Sequence, residues 1–142
     1  MTAEKTELAT QAFAAFERRD LDAIEQLCHP DIEFDWSRRL LDPVVFRGYD
    51  GVRGFFEEID TLFDEVTFDV EEALEFGDRV LIVSTGRFRG RASGVEVTAR
   101  AANVWTVRDG KLASFRFYQS KDDALADLER EGVDLRREAQ RG

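Results

Sequence analysis

Apolar and polar residues alternate most regularly between Val95 and Gln119. Side chains of a strand point alternately to the two faces of a sheet. In this stretch the odd positions up to residue 107 are almost all apolar, whereas the even positions are mixed. The dipeptide Asp109-Gly110 separates two such runs and favours a tight turn. The pattern therefore predicts two long antiparallel strands whose apolar face is interrupted by one polar residue, Asn103.

Three segments earlier in the chain carry a different pattern. Their apolar residues recur every three or four positions, which is the spacing of a helix that buries one face. A polar residue just before such a segment can cap the free N–H groups of the helix. The pattern predicts helices over residues 2–18, 21–28 and 51–63. Their expected N-caps are Thr6, Asp20 and Asp50.

Shorter alternating runs predict three more strands, and a last helix is expected before the C-terminal end. Residues 38–46 are predicted to form an irregular loop, which can line or cover the mouth of a pocket. Helices grouped early and antiparallel strands grouped late are typical of an α+β fold. The three strands cover residues 31–37, 66–76 and 79–90, and the last helix runs from Ser120 or Asp122 to about Glu129.

The turns also predict which side chains share the face of Asn103. Gly90 is placed opposite Val95, and Val107 opposite Lys111. Because a register fixes the face of every residue in a strand, this pairing defines one continuous surface. A strongly curved sheet with helices on its concave side would enclose a cone-shaped pocket over that surface. The neighbours predicted for Asn103 are Val80, Ile82, Ser84, Phe88, Ala113, Phe115, Phe117 and Gln119.

Length and charge narrow the class of protein. The 142 residues suit one domain, expected over residues 1–130 and followed by a charged tail over residues 131–142. The formal net charge of −10 argues against a partner such as nucleic acid or an anionic membrane. No apolar stretch is long enough to cross a bilayer, so a cytoplasmic protein is expected. The lone Cys28 allows no internal disulfide and no thiolate metal site, and neither a metal nor a cofactor is expected.

The order and spacing of several short segments resemble the SnoaL-like branch of the nuclear-transport-factor-2-like (NTF2-like) superfamily. Together these segments cover almost the whole chain. The resemblance rests on FERRDLDAI at 16–24, HPDIEF at 29–34, FRG at 46–48, GVR at 51–53, GDRV at 77–80, SGVEV at 93–97, and residues 104–118 with their RDGK turn.

This resemblance implies an NTF2-like cone, with a curved antiparallel or mixed sheet and N-terminal helices on its concave face. It also implies a pocket and, in many members, a homodimer through the convex face. Members include polyketide cyclases, steroid isomerases, limonene epoxide hydrolases, dehydratases and proteins with no known activity. Because one fold hosts many functions, the site has to decide which function applies.

The catalytic sets of these relatives map poorly onto the chain. In the steroid isomerases the resemblance places a tyrosine at Ala12, an aspartate base at Trp36 and a protonated aspartate at Asn103. Asn103 keeps a hydrogen-bond donor there, but no base is in place for proton transfer. An acid of the epoxide hydrolases falls on Phe117. A carboxylate from Asp35, Asp42 or Glu57 near Asn103 would favour catalysis.

Two other residues carry chemistry of their own. His29, the only histidine, could serve as a base, but its place before Pro30 at a helix end favours a cap on backbone carbonyls. Cys28 could be a nucleophile, but its helical spacing favours burial. Neither residue is taken as catalytic.

The sequence therefore predicts an apolar pocket that binds a small hydrophobic molecule, with no assignable reaction. The alternatives are a non-catalytic ligand-binding or accessory homodimer, an isomerase, cyclase or epoxide hydrolase with a divergent site, and a pure interaction module. Asn103 either binds a ligand or bonds to Gln119 or to water. The expected ligand-binding residues are Trp36, Phe55, Asn103, Trp105, Phe117 and Gln119.

An apolar stripe framed by charges is also predicted on the convex face. Several of its members would lie exposed together, which favours burial in a homodimer. The residues expected at this interface are Leu81, Val83, Arg100, Val104, Arg116 and Tyr118.

Overall fold

The computed structural model describes residues 3–39 and 43–136. No helix in this part of the chain is long and apolar enough to cross a membrane. The helices are α1 (Ala3–Glu17), α2 (Leu21–Leu27), α3 (Gly48–Leu62) and α4 (Lys121–Arg130). The strands are β1 (Cys28–Asp35), β2 (Val45–Arg47), β3 (Phe63–Phe76), β4 (Arg79–Gly90), β5 (Glu96–Arg108) and β6 (Lys111–Tyr118).

The six strands form one mixed sheet in the order β2-β1-β6-β5-β4-β3. Strands β1 and β6 run parallel, and all other neighbours are antiparallel. Helices α1, α2 and α3 pack on the concave face of this curved sheet. The predicted α+β cone is therefore confirmed.

Two apolar cores lie on opposite faces of the sheet. The first core lies between α1, α2, α3 and the concave face, and includes Ile24, Phe34, Val52 and Trp105. The second core lies between α4 and the convex face. Because strand side chains alternate, β4 and β5 supply apolar residues to both cores.

The expectation that a run of apolar convex residues lies exposed is wrong. Four of the six residues assigned to a dimer interface are buried within the chain, because α4 lays its apolar side across them. Arg116 is partly buried beside the same helix, and only Arg100 is exposed. The four buried residues are Leu81, Val83, Val104 and Tyr118.

The strand pairing follows the prediction closely at one hairpin and less closely at the other. Between β4 and β5 the predicted register is confirmed, with Ile82 opposite Asn103. Between β5 and β6 the prediction is two residues out, since Asn103 lies opposite Phe117 and not Phe115. One residue of the difference arises at the turn, where Arg108 and not Val107 pairs with Lys111, and the other arises at an irregularity between Thr106 and Val107. Beyond the irregularity the shift of two residues keeps Phe115 and Phe117 on their predicted face. Beside the turn the shift is only one residue, so Leu112 lies opposite Val107 and joins the first core.

Of the three predicted helix caps only Asp20 is confirmed, and Ser120, one of two predicted starts of the last helix, also acts as a cap. The Asp20 carboxylate accepts a hydrogen bond from the Ala23 N–H at 3.1 Å, and the Ser120 hydroxyl accepts one from the Asp123 N–H at 3.1 Å. The first helix begins before Thr6, so Thr6 is not its cap.

Two further observations concern the starts of α1 and α3. Glu75 in β3 reaches the first turns of α1, where its carboxylate accepts bonds from the N–H and hydroxyl of Thr6 at 3.1 and 2.9 Å. The third helix starts before Asp50, so Asp50 lies in its first turn and does not cap it.

The short strand β2 was not predicted. Its three residues pair with the end of β1, with Phe46 opposite Phe34. Residues 40–42 of the predicted loop 38–46, including Asp42, lie outside the described residues. Beyond residue 130, Val133 and Leu135 pack against the second core. The division into a domain and a tail at that position stays a prediction.

Candidate functional site

A cavity of about 370 Å³ lies between α1, α3 and the concave face of the sheet. Its wall contains all six residues that the sequence predicts as ligand-binding. These are Trp36, Phe55, Asn103, Trp105, Phe117 and Gln119. Their role in binding stays a prediction, but the fold does bring them together around one space.

Aromatic rings form most of the cavity wall. Trp36 is stacked between Phe55 and Phe117, with ring centroids 5.2 and 5.0 Å away and interplanar angles of 21° in both pairs. Trp105 meets Phe34 and Phe115 edge to face, at 6.1 and 4.9 Å. Such offset and edge contacts are favourable arrangements for aromatic rings. The wall is therefore both apolar and well supported by its own packing.

Three buried polar atoms on this wall lack a hydrogen-bond partner. They are Nε1 of Trp36, Nε1 of Trp105 and Oδ1 of Asn103. Asn103 is only 5% exposed. An unpaired buried donor or acceptor costs about 1–3 kcal/mol, so such groups are rare in native proteins. Two N–H donors and one amide acceptor thus remain to be satisfied beside the cavity.

Gln119 does not serve as the partner of Asn103. Its Nε2 donates a hydrogen bond to the carbonyl of Arg38 at 3.0 Å. This bond ties the end of β6 to the residues that follow β1. Trp36 is held in the same region, since its backbone N–H donates to the carbonyl of Val44 at 2.8 Å.

Arg39 supplies a positive charge to the cavity wall. Its guanidinium lies 5.9 Å from the centre of the Trp36 ring and pairs with Glu58 of α3 at 3.2 Å. Arg100 also borders the cavity, but its side chain pairs with Glu71 at 2.6 Å. Since Arg100 takes an even position in β5, that side chain belongs to the convex face.

No Asp or Glu among the described residues lines the cavity. Asp35 instead contacts Arg38 at 3.7 Å and Arg116 at 3.8 Å, and Glu57 is exposed on α3. The described wall therefore lacks the carboxylate pair or single base that proton transfer would need.

Cys28 and His29 lie away from this wall. Burial raises the pKa of the Cys28 thiol to about 12, with the charge of Glu25 adding to the effect. A thiol in that state is a poor nucleophile at neutral pH. His29 lies in β1, where its Nδ1 accepts a hydrogen bond from the Asp31 N–H at 3.2 Å. The predicted capping of a helix end by His29 is wrong, because Cys28 is the C-cap of α2 and the imidazole bonds within its own strand.

Gly86 is a cavity residue that the sequence analysis missed. A Cβ at this position would lie 2.7 Å from the ring of Phe88, which folds across the glycine. The ring also meets Phe68 at 6.0 Å and Phe63 at 5.2 Å. A glycine inside a strand often marks such a close approach. The position of Gly86 inside the predicted strand 79–90 could therefore have indicated this close approach.

An ionic cluster on the second core was also missed. Asp127 of α4 accepts hydrogen bonds from the Tyr118 hydroxyl and from Arg116 at 2.9 Å, and pairs with Arg38 at 3.3 Å. Burial opposes ionisation of Asp127, but these contacts and one from Arg130 outweigh it and hold its pKa below the usual range. The sequence could have indicated this cluster, because Asp127 is a charged residue on the apolar side of α4, beside Ala124 and Leu128.

The pKa of the Tyr118 hydroxyl is also shifted within this cluster. Its burial, together with the hydrogen bond that it donates to Asp127, raises the pKa of the hydroxyl to about 12. Arg38 stacks over the Tyr118 ring at 5.1 Å. Because Arg38 precedes Arg39, the cluster anchors one end of the cavity wall to α4.

The family model for the SnoaL-like domain matches residues 9–115. No curated protein matches the chain in sequence. Similar solved structures include an NTF2-like protein of unknown function from Burkholderia pseudomallei. It is 20% identical, has a TM-score of 0.71, and is aligned over 87% of this chain and 95% of its own.

Two further similar structures hold small molecules. TerC, co-crystallized with polyporic acid, is 24% identical with a TM-score of 0.71, over 89% of this chain and 98% of its own. Rv0760c from Mycobacterium tuberculosis, in complex with estradiol-17beta-hemisuccinate, is 15% identical with a TM-score of 0.72, over 84% and 95%. The family match spans most of the chain, and these structures share its fold. The chain therefore belongs to the SnoaL-like domain family and shares the fold of NTF2-like proteins.

Proposed function

We propose that the protein binds a small, largely apolar aromatic molecule that carries hydrogen-bonding groups. The observation that carries this proposal is the set of unpaired atoms on Trp36, Trp105 and Asn103 beside an aromatic cavity. A ligand with both an acceptor and a donor would satisfy these atoms and recover part of their burial cost.

The size and lining of the cavity support the same class of ligand. Binding sites for small molecules are mostly apolar clefts of roughly 300–1,000 Å³ with a few placed polar groups. A cavity of about 370 Å³ lies in this range and suits a molecule of two or three fused rings. The small organic molecules held by TerC and Rv0760c support small-molecule binding in a cavity of this fold.

Binding is proposed in preference to a reaction. The described wall offers no carboxylate, and the positions of the steroid isomerase tyrosine and base carry Ala12 and Trp36. General acid–base catalysis needs a titratable group within reach of the reacting atom. A non-catalytic ligand-binding protein, one of the alternatives from the sequence, therefore fits the site best.

A pair of matched substitutions on β5 tests the proposal. Ala101 lines the cavity, so Ala101→Phe should fill part of it and abolish binding of naphthamide, a neutral aromatic amide. Thr98 is exposed on the opposite face of the same strand, so Thr98→Phe should leave binding unchanged. Calorimetric titration measures both. Undiminished binding to a folded Ala101→Phe variant would contradict the proposal.

A further inference from the structure

The charge at the cavity wall narrows the class of ligand. We infer that the cavity prefers an aromatic anion, with Arg39 contacting its carboxylate or phenolate group while the rings fill the apolar space. This inference rests on the proposed function and adds to it the charge of the ligand and the residue that recognises it.

Arg39 is placed to meet a ligand. Its side chain is 19% exposed and belongs to the cavity wall, so it is neither freely solvated nor sealed in the core. Its guanidinium lies over Trp36, whose own Nε1 has no partner. A guanidinium and a nearby N–H donor together suit the oxygens of an anion.

The balance of donors and acceptors also favours an anion. The unpaired groups on the wall are two indole N–H donors against a single amide oxygen, so a ligand rich in acceptors matches them better. No carboxylate among the described lining residues would repel it. A chain with a net charge of −10 repels anions in general, so a preference for one requires a local cation.

Glu58 makes the inference sharply testable. Its carboxylate pairs with Arg39 at 3.2 Å from α3 and therefore competes with a ligand anion for the guanidinium. Removing the arginine and removing the glutamate should move anion affinity in opposite directions. A purely structural ion pair would instead weaken binding of every ligand in both variants.

The experiment compares naphthoate with naphthamide, which share a ring system and differ in charge. Calorimetry on the native protein should show naphthoate binding about tenfold more tightly, since charge-assisted hydrogen bonds are roughly twice as strong as neutral ones. Arg39→Met should abolish this preference, Arg39→Lys should restore part of it, and Glu58→Gln should increase it. Affinity for naphthamide should stay within about twofold throughout.

Matched controls come from a second ion pair. Arg87 pairs with Asp69 at 2.9 Å on the exposed convex face, so Arg87→Met and Asp69→Asn should leave the preference unchanged. If Arg39→Met does not fold, the Glu58→Gln variant alone tests the inference, which requires an increased preference for naphthoate over naphthamide. Equal affinity for both probes, or equal loss of both in the Arg39 variant, would overturn the inference while the proposed function stands. Binding of neither probe would overturn both.

Discussion

Asn103 is a buried polar residue of the cavity wall. It occupies a central position of β5, opposite Ile82 on one side and Phe117 on the other. Both directly opposite residues are apolar, and its amide oxygen has no hydrogen-bond partner. A buried amide that stabilised the fold would be expected to have one. The residue is therefore better explained by binding than by folding.

Asn103→Leu should raise the free energy of unfolding by about 1–3 kcal/mol, because it removes an unpaired buried polar group and keeps the branched shape of the side chain beside a cavity with room for the larger methyl groups. The same substitution should weaken binding of naphthamide, whose amide N–H groups would lose their acceptor. Urea unfolding and calorimetry measure the two effects. A loss of stability of more than about 1 kcal/mol would show that Asn103 supports the fold through a protein partner.

At the scale of elements, α4 has a larger role than its length suggests. It covers the convex face with Ala124 and Leu128, and it carries the carboxylate that organises Tyr118, Arg116 and Arg38. The helix therefore joins the second core to the residues that precede Arg39 on the cavity wall.

Asp127→Asn should lower the free energy of unfolding by about 1–3 kcal/mol, because it removes the buried charge that accepts hydrogen bonds from Tyr118 and Arg116. The matched control is Glu129→Gln, which changes an exposed carboxylate on the same helix and should alter stability by less than about 0.5 kcal/mol. Urea unfolding of both variants at neutral pH makes the comparison. Equal stabilities would contradict the role given to the cluster.

The cluster also predicts a dependence on pH. Burial opposes ionisation of Asp127 and Glu131, but their arginine and tyrosine contacts outweigh it, so both carboxyls have lowered pKa values in the folded state. Their stabilisation is present above the unfolded pKa of about 4 and is lost as pH falls through the folded values. Urea unfolding between pH 6 and acid pH should show this decline, and Asp127→Asn should make it shallower. Parallel pH curves for both proteins would contradict the assignment.

At the scale of the whole molecule, the sequence predicted the fold because alternation and turns are local. Strict alternation placed Ser84, Asn103 and Phe117 on one face, and the Asp109-Gly110 turn fixed the hairpin. The β5–β6 register was two residues out, because the turn pairs Arg108 with Lys111 and an irregularity further along the strands leaves no clear mark in the pattern. The six predicted site residues still met around one cavity, since a shift of two keeps the face.

Other features depend on contacts between distant segments, which one sequence does not reveal. Glu75 bonds to Thr6 in α1, and Asp127 of α4 pairs with Arg38, which follows β1. The apolar convex residues were expected to be exposed, because the sequence does not show which face of the sheet the last helix covers. Once α4 is placed on them, the same residues belong to a core.

Association of two copies stays a prediction, and its proposed surface has changed. The exposed large apolar residues of the described chain include Val95 just before β5, Val97 near the start of that strand, and Leu62 at the end of α3. If two copies associate, we expect these residues to become protected. Native mass spectrometry should give a dimer mass that Val97→Glu shifts to the monomer. A monomer mass for the unaltered chain would contradict the prediction.

The most direct test of ligand binding uses the two tryptophans of the chain, because both line the cavity and both have an unpaired indole N–H. Nuclear magnetic resonance of the isotope-labelled protein gives one indole signal for each. During titration with naphthamide, both signals should shift together and saturate at a common dissociation constant, and neither should move in Ala101→Phe. Two indole signals that remain in place while naphthamide saturates the protein would contradict binding in this cavity.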